Sequence, residues 1–373
     1  MIATLTHILA LMLARGQGQL WSRLELPVPA KSPVKLFIQT ASDPMDPPIK
    51  SPKRFGEDKV QWEFPWISAA YGHIDGDPSN SDNRFRIFSQ EQKGGKSAMV
   101  ARMLLRLWDM NVERLRLGHN PEFHRGLVDV YLCYGGKAGG EQLFDQEFEP
   151  DPKNPGKTIA WKANTIYIYD LPSFTDPVEM AREVAHEYGH ATWAPIGGFQ
   201  QPEEWANGYL AEKVFLRWMR DAIARGDLTP DDAMGATKEG LDKWLAVNFD
   251  PLMLKAAQQL PTPALLSDKS EAGMNAFLGL ALYIETLFPD RVFKRSMELC
   301  GLEAKGYPES ILLAADEPDE VTLKVPDKYF GHLIWLPVGK GKVTGAKIIK
   351  FDPSGWVQVE VRNAPITIKN HRG

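Results

Sequence analysis

From Asp176 to Trp193 the chain reads Asp-Pro-Val-Glu-Met-Ala-Arg-Glu-Val-Ala-His-Glu-Tyr-Gly-His-Ala-Thr-Trp, and the reading of the whole sequence turns on this stretch. Asp176, Pro177 and Glu179 supply an N-cap, a first-turn proline and a reciprocal capping acid, while Pro195 and Gly197-Gly198 mark the stop. A helix is therefore predicted from Asp176 to about Trp193. Its period of about 3.6 residues sets His186 and His190 on one face, one turn apart, where two imidazoles can grip one metal ion. Glu187 lies one step round the cylinder, close enough to take a proton from a water on that ion, whose pKa zinc lowers to about 7. Paired histidines also occur as ordinary surface or core residues. Here their neighbours Val184, Ala185, Gly189 and Ala191 are small or apolar, as expected of a helix facing the interior.

A third ligand is needed. Continuation as His-x-x-Gly-x-x-His would place glycine at Trp193 and histidine at Ile196, so that arrangement is absent. The Gly-Cys-Leu context of a deformylase cysteine ligand is not matched around Cys133 (Tyr-Leu-Cys-Tyr-Gly-Gly). A carboxylate on the next helix, predicted from about Pro202 to Gly226, remains. At about 100° per residue, Lys213, Arg217 and Arg220 share a solvent side, and Glu204, Gly208, Ala211, Phe215 and Trp218 share the opposite one. Glu204 is accordingly the preferred ligand, with Glu212 and Glu203 as alternatives. Asn207 reads either as support for a ligating histidine or as a helix-packing residue.

With these residues in place, the chain resembles the gluzincin branch of zincin metallopeptidases, in which His-Glu-x-x-His is followed by a glutamate on the next helix. The likeness covers roughly residues 96–220. It implies a two-lobed fold, a Zn2+ ion held by His186, His190 and a glutamate, and Glu187 as general base in peptide-bond hydrolysis. It also implies an edge strand ahead of the motif helix, here Asn164–Tyr169, that pairs with an extended peptide. Tyr209, Tyr283, Tyr307, Tyr329 and His332 are candidates for steadying the tetrahedral intermediate. Where family members often carry Trp-Leu-x-Glu-Gly, this chain has Trp205-Ala206-Asn207-Gly208, without glutamate before the glycine.

The 373 residues, 43% of them apolar, suffice for a large core in more than one lobe. With 43 Lys and Arg against 48 Asp and Glu, the net charge of −5 offers no broad cationic field, so nucleic acid is not an expected partner. The apolar run Ile2–Ala14 is short for a membrane span and sits where a signal-peptide core would, which points to export, secreted or periplasmic, with no stable membrane insertion after processing. A buried N-terminal helix is the competing reading. Cys133 and Cys300 give no disulfide framework.

The expected fold class is α+β: a zincin-like, two-lobed fold with a mixed N-terminal lobe, a helical C-terminal lobe and a small β-rich extension. The predicted order is a leader (1–19), a Pro-rich accessory β segment with a strand near Val34–Gln39 (20–95), the mixed lobe with the motif helix (96–200), the helical lobe (201–318) and the extension (319–373). Within the mixed lobe a long amphipathic helix from Lys96 to Gly118 precedes strands at Leu127–Tyr134 and Asn164–Tyr169. The expected activity is zinc-dependent hydrolysis of a peptide or protein substrate. The alternative is a non-catalytic zincin-like binding protein that uses the same groove for a partner. Substrate identity, oligomeric state and any Cys133–Cys300 bridge are left open by the sequence.

Overall fold

The computed structural model describes residues 84–90, 95–120, 123, 126–362 and 365–370, together with the backbone of two strands, β1 (Lys35–Thr40) and β2 (Ser68–His73). The leader expected over residues 1–19, and most of the Pro-rich segment, lie outside the described residues. β1 falls on the run Val34–Gln39 that reads as a strand. The described chain is mixed α and β, and it divides into two units.

The first unit comprises Leu26–Trp193 and Phe215–Lys243. Its sheet adds β3 (Phe85–Ser89), β4 (Val128–Leu132), β5 (Gly139–Pro150) and β6 (Thr158–Tyr169), in the order β1-β2-β3-β4-β6-β5. β3, β4 and β6 run parallel, and β5 returns antiparallel to β6 through a register from Gly139↔Tyr169 to Pro150↔Thr158. The expected substrate-facing edge is thereby corrected. Asn164–Tyr169 belongs to β6, which is hydrogen-bonded to β4 on one side and β5 on the other, whereas among the described residues β5 has a single neighbour and forms the edge. The sequence pattern of β6 marks it as a buried strand but carries no information on its neighbours.

Of the apolar positions Met99, Met103, Leu104, Trp108 and Val112 that mark this helix in the sequence, α1 (Gly95–Met110) buries Met103, Leu104 and Trp108, together with Val100 and Leu107, while Met99 is half-buried. It continues as one π-helical turn, Asn111–Leu115, closed by Arg116 in the left-handed region at φ 56°. Helix α2 (Pro177–Thr192) carries the motif. Asp176 caps it by accepting the Val178 N–H at 2.8 Å, and Trp193 leaves it in extended conformation. α2 packs on β5 and β6. On the opposite face of the sheet, Phe88, Tyr131 and Tyr167 are register partners whose rings stack at 5.2 and 5.1 Å, with Tyr169 continuing the row.

The second unit comprises Ala194–Val214 and Trp244–Gly373. Helix α3 (Asn207–Ala224) begins in this unit and passes to the first at Phe215. Helices α4 (Lys238–Asn248), α5 (Asp250–Gln258), α6 (Pro263–Leu266), α7 (Glu271–Leu287), α8 (Asp290–Cys300) and α9 (Tyr307–Asp316) follow along the chain. The β-rich runs expected from Val321 onward form two three-stranded antiparallel sheets. In one, β8 (Leu333–Pro337), β10 (Ala346–Phe351) and β11 (Trp356–Val361) are ordered β10-β11-β8. In the other, β7 (Glu320–Leu323), β9 (Lys342–Thr344) and β12 (Ile366–Lys369) are ordered β7-β12-β9.

Two expectations for the segment after the motif are corrected. Residues 202–206 are not helical: the chain from Ala194 is held by Gly197 N–H to Leu302 O, Gln200 N–H to Lys269 O, Ala206 N–H to Ile196 O, and bridges from Gly197 to Trp205 and Glu303. Those to Leu302, Lys269 and Glu303 come from residues remote in sequence, and the helix starts only at Asn207. Lys213 does not lie on a solvent side. It is buried, pairs with Glu212 at 2.7 Å, and stands over the rings of Tyr209 and Trp244.

Candidate metal centre

His186 and His190 project from one face of α2 with their Nε2 atoms 3.1 Å apart and ring planes 71° apart. Two nitrogens bound to one tetrahedral ion at about 2.05 Å stand roughly 3.3 Å apart, so this spacing already matches a shared metal. One ligand atom each from His186, His190 and Glu203 lies within 4.8 Å of the other two. Two imidazoles and a carboxylate are a donor set suited to a divalent first-row metal. Glu187, the residue next to His186, is buried beside them.

The third member of the group differs from the one preferred on sequence. Glu204 is exposed, and its backbone carbonyl accepts the Phe199 N–H at 3.4 Å, whereas Glu203, half-buried, joins the two histidines. The helical wheel that favoured Glu204 assumed a helix from Pro202; residues 202–206 are bends and a turn instead, so the 100° step does not apply to them. Glu212 is 2% exposed and is engaged by the Lys213 ammonium. Asn207 is buried in the first turn of α3.

Three side chains outside the motif hold α2 in place. Asn111, in the π-helical turn, accepts the Trp193 indole N–H at 2.9 Å and donates to Thr192 Oγ1 at 3.3 Å. Asn164 of β6 donates to the Ala191 carbonyl at 2.9 Å while its Oδ1 accepts from Gln142 of β5 at 2.8 Å, linking edge strand, inner strand and helix. His119 lies 2.9 Å from the Gly126 carbonyl through Nδ1 and 3.0 Å from the Tyr188 hydroxyl through Nε2. Burial pushes its pKa down to about 3, so the ring is neutral, Nδ1–H donates to Gly126 and Nε2 accepts from Tyr188. None of these three was singled out from the sequence. A lone Asn or His with no spacing partner carries no signal, because its partner is set by the fold.

Both cysteines are free, and burial pushes each thiol up to about 12, which keeps them protonated near neutral pH. Of the five residues proposed to steady an intermediate, Tyr283 donates to the Trp335 carbonyl at 2.8 Å and Tyr307 bonds Ser296 Oγ at 3.1 Å, both within the core. Tyr329 is buried, Tyr209 is half-buried, and His332 is exposed.

No protein-family profile, no curated protein and no solved structure matches the chain.

Proposed function

We propose that this chain is a zinc-dependent peptidase of the zincin type, with His186, His190 and Glu203 holding the metal and Glu187 serving as general base. The observation that carries the reading is the convergence of three donors with a buried carboxylate on the residue next to one of them. A zinc ion held there would polarise a substrate carbonyl and lower the pKa of water to about 7. Glu187 takes a proton from the attacking water and returns it to the leaving amine, the two halves of the general acid–base work of amide hydrolysis. The neutral His119, Asn111 and Asn164 keep α2 fixed against the sheet, so that the carboxylate and the imidazoles hold their spacing during the reaction.

By the likeness to zincins, an extended peptide would be taken up by strand addition at a sheet edge, and among the described residues β5 is such an edge. The test is hydrolysis of a denatured protein substrate by the purified zinc-loaded chain, beside Glu187→Gln. Retained zinc with activity lowered by at least about a hundredfold supports the peptidase. Zinc bound by both, with no hydrolysis by either, replaces it with the binding-protein alternative.

A further inference from the structure

Gly140 is the second residue of the edge strand β5, paired with Ile168 of β6 and on the sheet face that carries α2. A Cβ built on it would stand 2.7 Å from Glu187 Cγ and 2.9 Å from both Cδ and Oε1. Ordinary carbon contacts are about 3.5–4.0 Å, so any side chain here would claim the space of the Glu187 carboxylate. Conformation does not require glycine at this position, because its φ lies outside the left-handed region, unlike that of Gly139 at 140°. The requirement is one of room. Nor is strand β5 free to draw back from the helix, since the chain Gln142–Asn164–Ala191 ties both to β6 through bonds of 2.8 and 2.9 Å.

We propose that Gly140 is a positioning residue, kept without a side chain so that the Glu187 carboxylate lies flat against the backbone of the edge strand. The inference rests on the peptidase reading for the consequence of that placement, but not for the placement itself. The three heavy atoms nearest to a methyl group at position 140 all belong to the Glu187 side chain, which is flexible enough to move. Glu187 is therefore the first group displaced, and the metal ligands are expected to keep their places.

Two experiments decide it. In the first, thermal unfolding of metal-free wild type, Gly140→Ala, Glu187→Ala and the double variant forms a cycle. Gly140→Ala is expected to lower Tm by about 3 °C or more in the wild-type background and by less than about 1 °C in the Glu187→Ala background, where the methyl fills vacated space. An equal drop in both backgrounds overturns the proposal, and the Glu187→Ala pair keeps the test readable if Gly140→Ala alone folds poorly.

The second compares zinc-loaded wild type and Gly140→Ala. Zinc stoichiometry and KM are expected to stay within about twofold while kcat falls at least about tenfold. Unchanged kcat overturns the positioning role. If the wild type itself hydrolyses nothing, the peptidase reading fails, and the thermal cycle still decides whether Gly140 seats Glu187.

Discussion

His119 makes the fold acid-sensitive in a way that a single substitution can isolate. The imidazole is neutral, its pKa lowered by burial to about 3 against 6.5 for an unrestrained histidine. Its folded-state pKa is depressed, so the unfolded chain binds the extra proton over the window from 6.5 down to 3. Stability from this group is fully present above 6.5 and is lost as pH falls through the window. Each pH unit costs about 1.4 kcal/mol, so lowering pH from 7 to 4.5 removes about 3 kcal/mol. Asp109 works in the opposite sense. Burial raises its pKa to about 6, so between 3.8 and 6 the folded state holds the extra proton and stability falls as pH rises.

Comparison with His119→Phe removes the common background. That variant is expected to be less stable at pH 7 by about 1–3 kcal/mol, because the Tyr188 hydroxyl and Gly126 carbonyl lose their partner. The assay is urea unfolding of both proteins at pH 7 and 4.5 with chelator present, so that metal release contributes to neither. Wild type should lose about 3 kcal/mol more than the variant across that interval. Parallel pH dependences in the two proteins would refute the reasoning.

Three further outcomes follow from the site's geometry. Glu203→Ala should weaken zinc binding by at least about tenfold in a competitive chelator titration, and Glu204→Ala should leave it within about twofold. Glu212→Ala, in contrast, strands the buried Lys213 ammonium and should cost about 3–5 kcal/mol of unfolding free energy. Asn111→Leu leaves the buried Trp193 indole N–H without its acceptor, and a loss of about 1–3 kcal/mol on denaturant unfolding is expected.

Local signals in the sequence succeeded where one element carries its own instructions. α2 spans Pro177–Thr192 because Asp176 and Pro177 start it by backbone chemistry that needs no neighbour, and the spacing of His186 and His190 is a property of any helix. α1 was similarly legible from its apolar stripe. The third member of the candidate metal group was not, because the chain leading into residues 202–206 is held by Gly197 N–H to Leu302 O and Gln200 N–H to Lys269 O, about a hundred and about seventy residues away respectively, and helix propensity is outweighed there. A one-residue shift then brings Glu203, not Glu204, near the two histidines.

Sheet order escaped for a related reason. β6 reads as a strand from its Ile and Tyr content, yet its place between β4 and β5 depends on pairing partners that alternation does not name. Lys213 shows the same limit on a helix: charge marks it as a surface residue, and only the fold supplies the Glu212 carboxylate and the Tyr209 and Trp244 rings that make its burial tolerable. The positioning groups His119, Asn111 and Asn164 are legible only after the helix they hold has been placed.

The metal centre itself is the central claim, and counting zinc tests it most directly. The purified chain, loaded with zinc and dialysed against metal-free buffer, should retain close to one zinc per chain by mass spectrometry, and His190→Ala, measured in parallel and shown to be folded, should retain far less. Wild type that holds no zinc, or a His190→Ala variant that holds as much as wild type, would contradict the account.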